Sequence, residues 1–161
     1  MDCLELLPDV KGLEGKTCGI INVSVANMRV APDFSSEMMT QSLMGMPVRV
    51  LQRDGWVRIQ TPDNYIAWVH RVGVHPVTEE EMAAWNKAEK IVVTAHYGFV
   101  YSEPNQTSQT VSDVVAGNRL KWEGSKGAFY KVTYPDGRRG YSLQIHSHAR
   151  EEIGVPACSR M

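Results

Sequence analysis

The sequence predicts an all-β fold of two small β-barrels joined by a short helix. Three observations support this prediction. The chain repeats itself once, each copy alternates apolar and polar residues with the period of a half-buried strand, and a helix start signal lies between the copies. The predicted organisation is an N-terminal extension (1–17), a first barrel (18–76), a linker helix (77–90), a second barrel (91–150) and a C-terminal tail (151–161).

The internal repeat relates residues 23–75 to residues 93–148, with an offset of 72 positions that rises to 73 after a one-residue insertion. The matching positions are those that build strands and turns. Trp56 to Ile59 fall on Phe129 to Val132, for example, so the same kind of strand recurs at the same place. A repeated pattern of this kind indicates two copies of one small domain.

Each copy reads as a series of short strands. In the first copy, Ala26, Met28 and Val30 alternate with polar or small residues, as do Val57 and Ile59, which predicts that these side chains face a core. Glycine, asparagine and aspartate separate the strands, as tight hairpins require. These turns are Asp54-Gly55 and Pro62-Asp63-Asn64 in the first copy, and Ser125-Lys126-Gly127 and Pro135-Asp136-Gly137 in the second.

The helix between the copies begins with a capping box. Thr78 precedes Glu81 by three residues, the spacing at which the two side chains satisfy each other's backbone amide groups. Met82 and Trp85 then share one helical face, which we expect to pack on a barrel. Lys87 and Lys90 near the end suit the negative end of the helix dipole.

Charge and hydropathy exclude several classes of partner. The 17 Lys and Arg residues nearly balance the 18 Asp and Glu residues, for a net charge of -1, and no basic run is present. We therefore expect no nucleic-acid partner. No segment approaches about 18 consecutive apolar residues, so no membrane span is expected. The acidic start, Met1 to Glu5, also lacks the plan of a secretory signal.

The three cysteines do not form the even set of a disulfide-stapled small domain. Cys3 and Cys18 are able to pair, but the sequence does not decide this. Cysteine catalysis needs a nearby base, and Cys158 has no histidine after it. We therefore predict no catalytic cysteine.

The histidines predict no metal site. His146 and His148 are two residues apart and are expected on one face of a strand, but a zinc site needs further ligands that their neighbours do not supply. His70, His75 and His96 are scattered over predicted strand ends and loops. Because the glycines lie in turns and form no phosphate-binding loop, we expect no cofactor either.

Three stretches of the first copy resemble a known family. Residues 20–29, 36–41 and 56–68 resemble the first bacterial SH3 (SH3b) domain of NlpC/P60 cysteine peptidases, in particular the γ-D-glutamyl-L-diamino acid endopeptidases, or dipeptidyl-peptidase VI. The resemblance covers about residues 18–150 and implies SH3-like barrels in a cell-envelope setting, periplasmic or extracellular. The papain-like catalytic domain that follows in that family, with its Asp-Cys-Ser-Gly motif, is absent from this sequence. By itself the chain is therefore expected to be no enzyme.

The resemblance also implies a binding site in the first barrel. Glu37 and Tyr65 occupy the positions at which the family holds the free α-amine of L-Ala in a peptidoglycan stem peptide. A carboxylate pairs with an ammonium group, and a tyrosine adds a hydroxyl partner or a cation–π face. The alternative is a solvated loop charge beside a half-buried aromatic residue. In the second copy the equivalents are Gln109 and Arg138, so the fold does not require the pair.

Aromatic residues also surround one hairpin of the first copy, next to Tyr65. Trp56 and Trp68 match Phe129 and Tyr141, so an aromatic residue recurs in both copies, which favours a core position over a ligand groove. Eukaryotic SH3 domains read proline-rich peptides through an aromatic groove. Their Ala-Leu-Tyr-Asp-Tyr signature is missing here, so we do not expect that ligand.

The sequence favours a non-catalytic module that binds or targets a cell-wall stem peptide. Two alternatives remain. The chain is either the substrate-recognition part of a γ-D-glutamyl-L-diamino acid peptidase, working with an NlpC/P60 catalytic domain, or a scaffold that docks another envelope protein. Because fold alone does not imply function, the choice depends on the binding site.

Overall fold

The structure is a computed structural model that describes residues 7–9 and 11–150, without the side chains of 148–150. The expectations for Cys3, Cys158, the His148 side chain and the C-terminal tail lie outside the described residues. Of the described cysteines, Cys18 is disulfide-bonded. Its partner lies outside the described residues, so the pairing of Cys3 with Cys18 stays open.

The first barrel consists of seven antiparallel strands in the order β3-β2-β6-β5-β4-β1-β7. A single 3₁₀ turn, Arg71–Gly73, connects the last two strands along the chain. The strands are β1 (Cys18–Ile21), β2 (Val25–Arg29), β3 (Met38–Leu43), β4 (Pro47–Asp54), β5 (Trp56–Gln60), β6 (Ile66–His70) and β7 (Val74–Val77).

After helix α1 (Glu79–Lys87), the second barrel repeats this topology strand for strand, in the order β10-β9-β13-β12-β11-β8-β14. A second 3₁₀ turn, Gln144–His146, again precedes the last strand. The strands are β8 (Lys90–Val93), β9 (Tyr97–Tyr101), β10 (Thr110–Val115), β11 (Arg119–Lys126), β12 (Phe129–Thr133), β13 (Arg139–Leu143) and β14 (Ser147–Arg150). The all-β fold with one short linking helix is confirmed.

The repeat register predicted from the sequence is confirmed by turn geometry. Gly45 and Gly117, at equivalent positions, both have left-handed backbones, with φ of 84° and 90°. Asn64 and Gly137 are likewise equivalent, with φ of 67° and 88°. Asparagine and glycine tolerate this conformation best, so the two residue types serve the same turn.

The core of the first barrel follows the predicted alternation except at one end. Ala26, Met28, Val57 and Ile59 are all buried, whereas Val30 is exposed. The prediction for Val30 is wrong because the pairing of β2 with β3 shifts register after Met28, which breaks the alternation of faces before the strand ends.

Part of the predicted N-terminal extension packs on this barrel. Leu13 is fully buried in the same core, and the backbone amide of Asp9 donates to the carbonyl of Leu51 at 2.9 Å. Leu13 therefore adds to the barrel core from outside the predicted domain boundary at residue 18.

Helix α1 carries the predicted capping box. The Thr78 hydroxyl accepts from the Glu81 amide, and the Glu81 carboxylate accepts from the Thr78 amide. The hydrogen bond from the Thr78 amide is the main reason that the pKa of Glu81 lies below its usual value. Burial has a smaller, opposing effect on this pKa. Met82 and Trp85 pack against Ile20 of the first barrel, as the shared helical face predicts.

The two barrels share a buried interface. The side chain of Met44, from the first barrel, belongs to the core of the second barrel, beside Tyr134. The Arg119 amide donates to the Met44 carbonyl at 2.9 Å, and the Trp85 indole donates to the Gly45 carbonyl at 3.3 Å. The turn at Met44–Gly45 thus joins both barrels and the helix.

Polar groups complete this interface. Asn118 donates to the Ser24 carbonyl at 2.8 Å, and the Ser24 hydroxyl donates to Asp113 at 2.7 Å. Asn22 donates to Asp136 at 2.9 Å. Burial by itself raises the pKa of Asp136. Hydrogen bonds from Asn22 and Arg138 together lower it by more, so the net shift of the Asp136 pKa is downward.

A search of the described residues for membrane-spanning helices found no helix with the length and apolar character that a bilayer crossing requires.

Candidate functional site

The loop between β2 and β3, residues 30–37, carries one of the two predicted site residues and is held by its own hydrogen bonds. The Arg29 guanidinium donates to the Ser36 carbonyl, and the Ser36 hydroxyl accepts from the Ala31 amide at 2.9 Å. The Asp33 carboxylate accepts from the amide and hydroxyl of Ser35, at 2.7 and 2.8 Å. These two hydrogen bonds, chiefly the one from the Ser35 amide, lower the pKa of Asp33. The loop therefore has a defined shape that presents its side chains outward.

Glu37 ends this loop. Its carbonyl accepts from the Val30 amide at 3.0 Å, which fixes its backbone, while its side chain is exposed. The carboxylate makes no hydrogen bond or ion pair with any described residue. An anchored backbone with an unpaired carboxylate is suited to meet a cation from outside the chain.

Tyr65 follows the left-handed turn at Asn64. Its amide donates to the Thr61 hydroxyl at 3.1 Å and its carbonyl accepts from the Thr61 amide at 3.0 Å, so its backbone is also fixed. The ring is 48% exposed. Tyr65 is thus a surface aromatic residue whose backbone is fixed by hydrogen bonds.

The structure places Glu37 and Tyr65 at the same end of the first barrel. Strands β3 and β6, which they precede, flank β2 on either side, and Arg29 pairs with Met38 on one side and Trp68 on the other. Two strand spacings amount to about 10 Å across the sheet, and Tyr65 lies two positions further along its segment than Glu37, so the two residues lie at one end of the barrel without adjacent backbones. Only a ligand of several atoms is able to contact both.

The equivalent surface of the second barrel has a different chemistry. Gln109 replaces Glu37, and Arg138 replaces Tyr65. Arg138 is engaged within the barrel, because its guanidinium pairs with Asp136 at 2.7 Å and lies over the Tyr134 ring at 4.7 Å. The second barrel therefore offers no free carboxylate at these two positions.

A groove of about 260 Å³ is lined in part by Phe34 of the 30–37 loop. The rings of Phe34, Trp56 and His70 form one wall, with centroids 4.8 to 5.3 Å apart. The lining residues are Val23, Val25, Ala26, Asn27, Arg29, Phe34, Trp56, Val69, His70, Val72 and Gly73. Neither Glu37 nor Tyr65 is among them.

The prediction that Trp56 and Trp68 are core residues is wrong. Neither belongs to the buried core of the first barrel, and both are half-buried. Trp56 lines the groove, and Trp68 lies beneath the Arg58 guanidinium at 5.7 Å. Phe129, the equivalent of Trp56, is buried, whereas Tyr141, the equivalent of Trp68, is half-buried, so the repeat preserves aromatic character at both positions but burial changes at the first.

Sequence reasoning missed Phe34 altogether. It lies in the run Ala-Pro-Asp-Phe-Ser-Ser, whose composition reads as a loop. A large apolar residue inside such a loop is a weak signal, because single exposed apolar residues are common and only a contiguous patch indicates a binding surface.

The histidines form no metal centre among the described residues, where no group of three or more His, Cys, Asp or Glu side chains is arranged to hold a metal ion. His146 lies in the 3₁₀ turn that precedes β14, so the prediction that it lies on a strand is wrong.

Two family models match the chain. Residues 28–72 match the bacterial dipeptidyl-peptidase Sh3 domain, and residues 96–147 match the bacterial SH3 domain. The chain thus carries two bacterial SH3 domains, one in each barrel, and the resemblance found in the sequence is confirmed at this level. None of the curated proteins matches the chain.

Solved structures show the same fold within longer proteins. An NlpC/P60 family protein from Bacillus cereus ATCC 10987 aligns with a TM-score of 0.69 at 20% identity, over 87% of this chain and 59% of that one. An NlpC/P60 endopeptidase from Photobacterium damselae subsp. piscicida aligns with a TM-score of 0.62 at 14% identity, over 94% of this chain and 37% of that one. The chain therefore spans less than two thirds of either protein.

Proposed function

We propose that the two bacterial SH3 domains form a non-catalytic cell-wall binding module whose ligand is a peptidoglycan stem peptide with a free L-Ala amine. The observation that carries the proposal is the Glu37 carboxylate, which has no hydrogen-bond or ion-pair partner in the described part of the chain and follows a fixed loop at the same barrel end as Tyr65. The ligand amine pairs with Glu37, and the Tyr65 ring covers the adjoining part of the peptide.

The chemistry of this site sets its selectivity. A free amine carries a charge and three donors, whereas an acylated amine loses the charge and keeps one donor. Acylated peptides are therefore rejected. Because Glu37 and Tyr65 lie on an open surface, the ligand buries little area and binding is weak, in the millimolar range.

The cell envelope is the setting that fits this function. The family matches are to bacterial SH3 domains, one of them named for a dipeptidyl-peptidase. Cys18 is disulfide-bonded, and disulfides persist mainly in oxidising compartments such as the periplasm or the cell exterior.

A second function is favoured by the lengths of the structural relatives, of which this chain spans 59% and 37%. In this alternative the module is the substrate-recognition part of an NlpC/P60 peptidase. Glu37 and Tyr65 then select the stem peptide for a catalytic domain carried elsewhere, and the chain by itself remains without enzymatic activity.

The experiment is an NMR titration with L-Ala-γ-D-Glu-diaminopimelate and with its N-acetylated form. We expect saturable binding of the free-amine peptide only. Glu37→Gln, which installs the residue found at the equivalent position of the second barrel, is expected to weaken binding about tenfold or more because a charged hydrogen bond is lost.

The matched control is Glu103→Gln, which removes an exposed loop carboxylate from the second barrel and should leave binding unchanged. Tyr65→Phe tests the hydroxyl alone. If neither peptide changes the NMR spectrum at concentrations up to the millimolar range, stand-alone binding is refuted. Binding of the acetylated peptide as tightly as the free one would refute the role of Glu37.

A further inference from the structure

We infer that the groove beside the 30–37 loop is a second binding site, which takes an extended peptide segment carrying an apolar side chain and a carboxylate. This site is separate from Glu37 and Tyr65, neither of which lines it. The inference therefore does not rest on the amine site proposed above.

The groove exposes large apolar side chains of the kind that a folded chain normally buries. Phe34 is 67% exposed and Val72 is 62% exposed, and they lie among the residues that line the same cleft. The Phe34 ring stacks at a tilt on Trp56 and His70, at 4.8 and 5.1 Å. An exposed aromatic wall of this kind is typical of a recognition surface.

The second barrel shows that the fold does not need this cluster. The positions equivalent to Phe34 and His70 hold Gln106 and Leu143. The same strands and turns form there without the three-ring contact. The cluster in the first barrel is therefore a local addition to a scaffold that folds without it.

The charge of the groove specifies the second part of the ligand. The titratable residues that line it are Arg29 and His70, and no carboxylate does so within the described part of the chain. The Asp33 carboxylate of the adjoining loop does not line the groove; it accepts two hydrogen bonds from Ser35 and also interacts electrostatically with Arg29. Arg29 uses one nitrogen for the Ser36 carbonyl, and a guanidinium has further donors that suit a carboxylate.

The size of the groove limits how much of a ligand enters. Its volume of about 260 Å³ is below the roughly 300–1,000 Å³ typical of sites for drug-sized molecules. One large side chain with its flanking backbone fits this space, among lining residues that include the aromatic rings and Val72. An acidic group next in the peptide then reaches Arg29.

The test uses two acetylated, amidated dipeptides, Ac-Phe-Glu-NH₂ and Ac-Phe-Gln-NH₂, followed through the indole NH of Trp56. Neither probe has a free amine, so neither engages the amine site through Glu37. We expect the Glu probe to shift the Trp56 signal saturably in the millimolar range, and the Gln probe to bind about fivefold or more weakly because it lacks the charge. The Trp56 signal is assigned with Trp56→Phe.

Phe34→Gln is the decisive variant, since glutamine is the residue at the equivalent position of the second barrel and the side chain is exposed. We expect about tenfold weaker binding of the Glu probe, as for the loss of one buried aromatic contact. Tyr97→Gln, at an exposed aromatic residue of the second barrel, is the control and should bind normally. An unchanged Trp56 signal, equal affinity for both probes, or normal binding by Phe34→Gln would each overturn the inference.

Discussion

At the scale of single residues, Tyr134 shows how a polar group is accommodated in a core. The residue is fully buried in the second barrel, and its hydroxyl lies 2.6 Å from that of Ser112. Burial raises the pKa of Tyr134 to about 12, outweighing the hydrogen bond with Ser112 and the nearby Arg138 charge, which lower it. The phenol is thus held in its neutral form.

Tyr134 should therefore ionise late in a spectrophotometric pH titration. Of the six tyrosines, Tyr134 should titrate near pH 12, above the ordinary tyrosine value of about 10. Because the folded pKa lies above the unfolded value of about 10, this contribution to stability is complete below about pH 10 and is lost as the pH rises through 12. Tyr134→Phe should remove the late step, and a late step that survives in this variant would contradict the assignment.

At the scale of elements, helix α1 depends on its capping box because it is short. The helix has nine residues, and isolated helices of that length are marginal in water. Its stability comes from packing of Met82 and Trp85 and from the satisfied ends. Lys90 contributes at the other end, where its ammonium donates to the carbonyls of Trp85 and Ala88.

Thr78→Ala should lower the free energy of unfolding by about 1 kcal/mol, since the Glu81 amide loses its acceptor. Thr78→Ser keeps the hydroxyl and should retain most of the stability. Denaturant unfolding measures both, with Thr94→Ala, at an exposed threonine outside the helix, as the control. A loss in Thr78→Ala no larger than that in Thr94→Ala would show that the cap is not needed.

The sequence predicts elements of this protein better than it predicts surfaces. Repeat register, turn positions and the capping box are local or periodic signals, so the fold follows from them. The register shift after Met28 and the 3₁₀ turn at His146 depend on partner strands and are not visible in a periodic pattern. The groove depends on contact between Phe34, Trp56 and His70, which lie on three separate segments.

The residues of the proposed amine site were predicted on different grounds from the strands and turns. Glu37 and Tyr65 were found through resemblance to a family, not through their own pattern, because one carboxylate and one tyrosine on a surface carry little signal. The structure adds that both backbones are anchored and that the residues share one end of the barrel. Their role as a site stays a prediction for the peptide titration.

At the scale of the whole molecule, the two barrels depend on each other through Met44. This side chain is fully buried in the core of the second barrel although its strand neighbours belong to the first. The hydrogen bond from Arg119 to the Met44 carbonyl closes the same contact. The second barrel thus lacks a part of its core without the first, and the pair should unfold as one unit.

Met44→Ala should therefore lower the free energy of unfolding by about 2–5 kcal/mol, the usual cost of emptying a core site, while Met44→Leu should cost less than about 1.5 kcal/mol. Met38→Ala, at an exposed methionine of β3, is the control with little expected effect.

Unfolding followed by tryptophan fluorescence and by circular dichroism should give one coincident transition in the native chain, because the shared side chain couples the barrels. Two separate transitions, or a Met44→Ala variant as stable as Met38→Ala, would mean that each barrel completes its own core and that Met44 only fills the space between them.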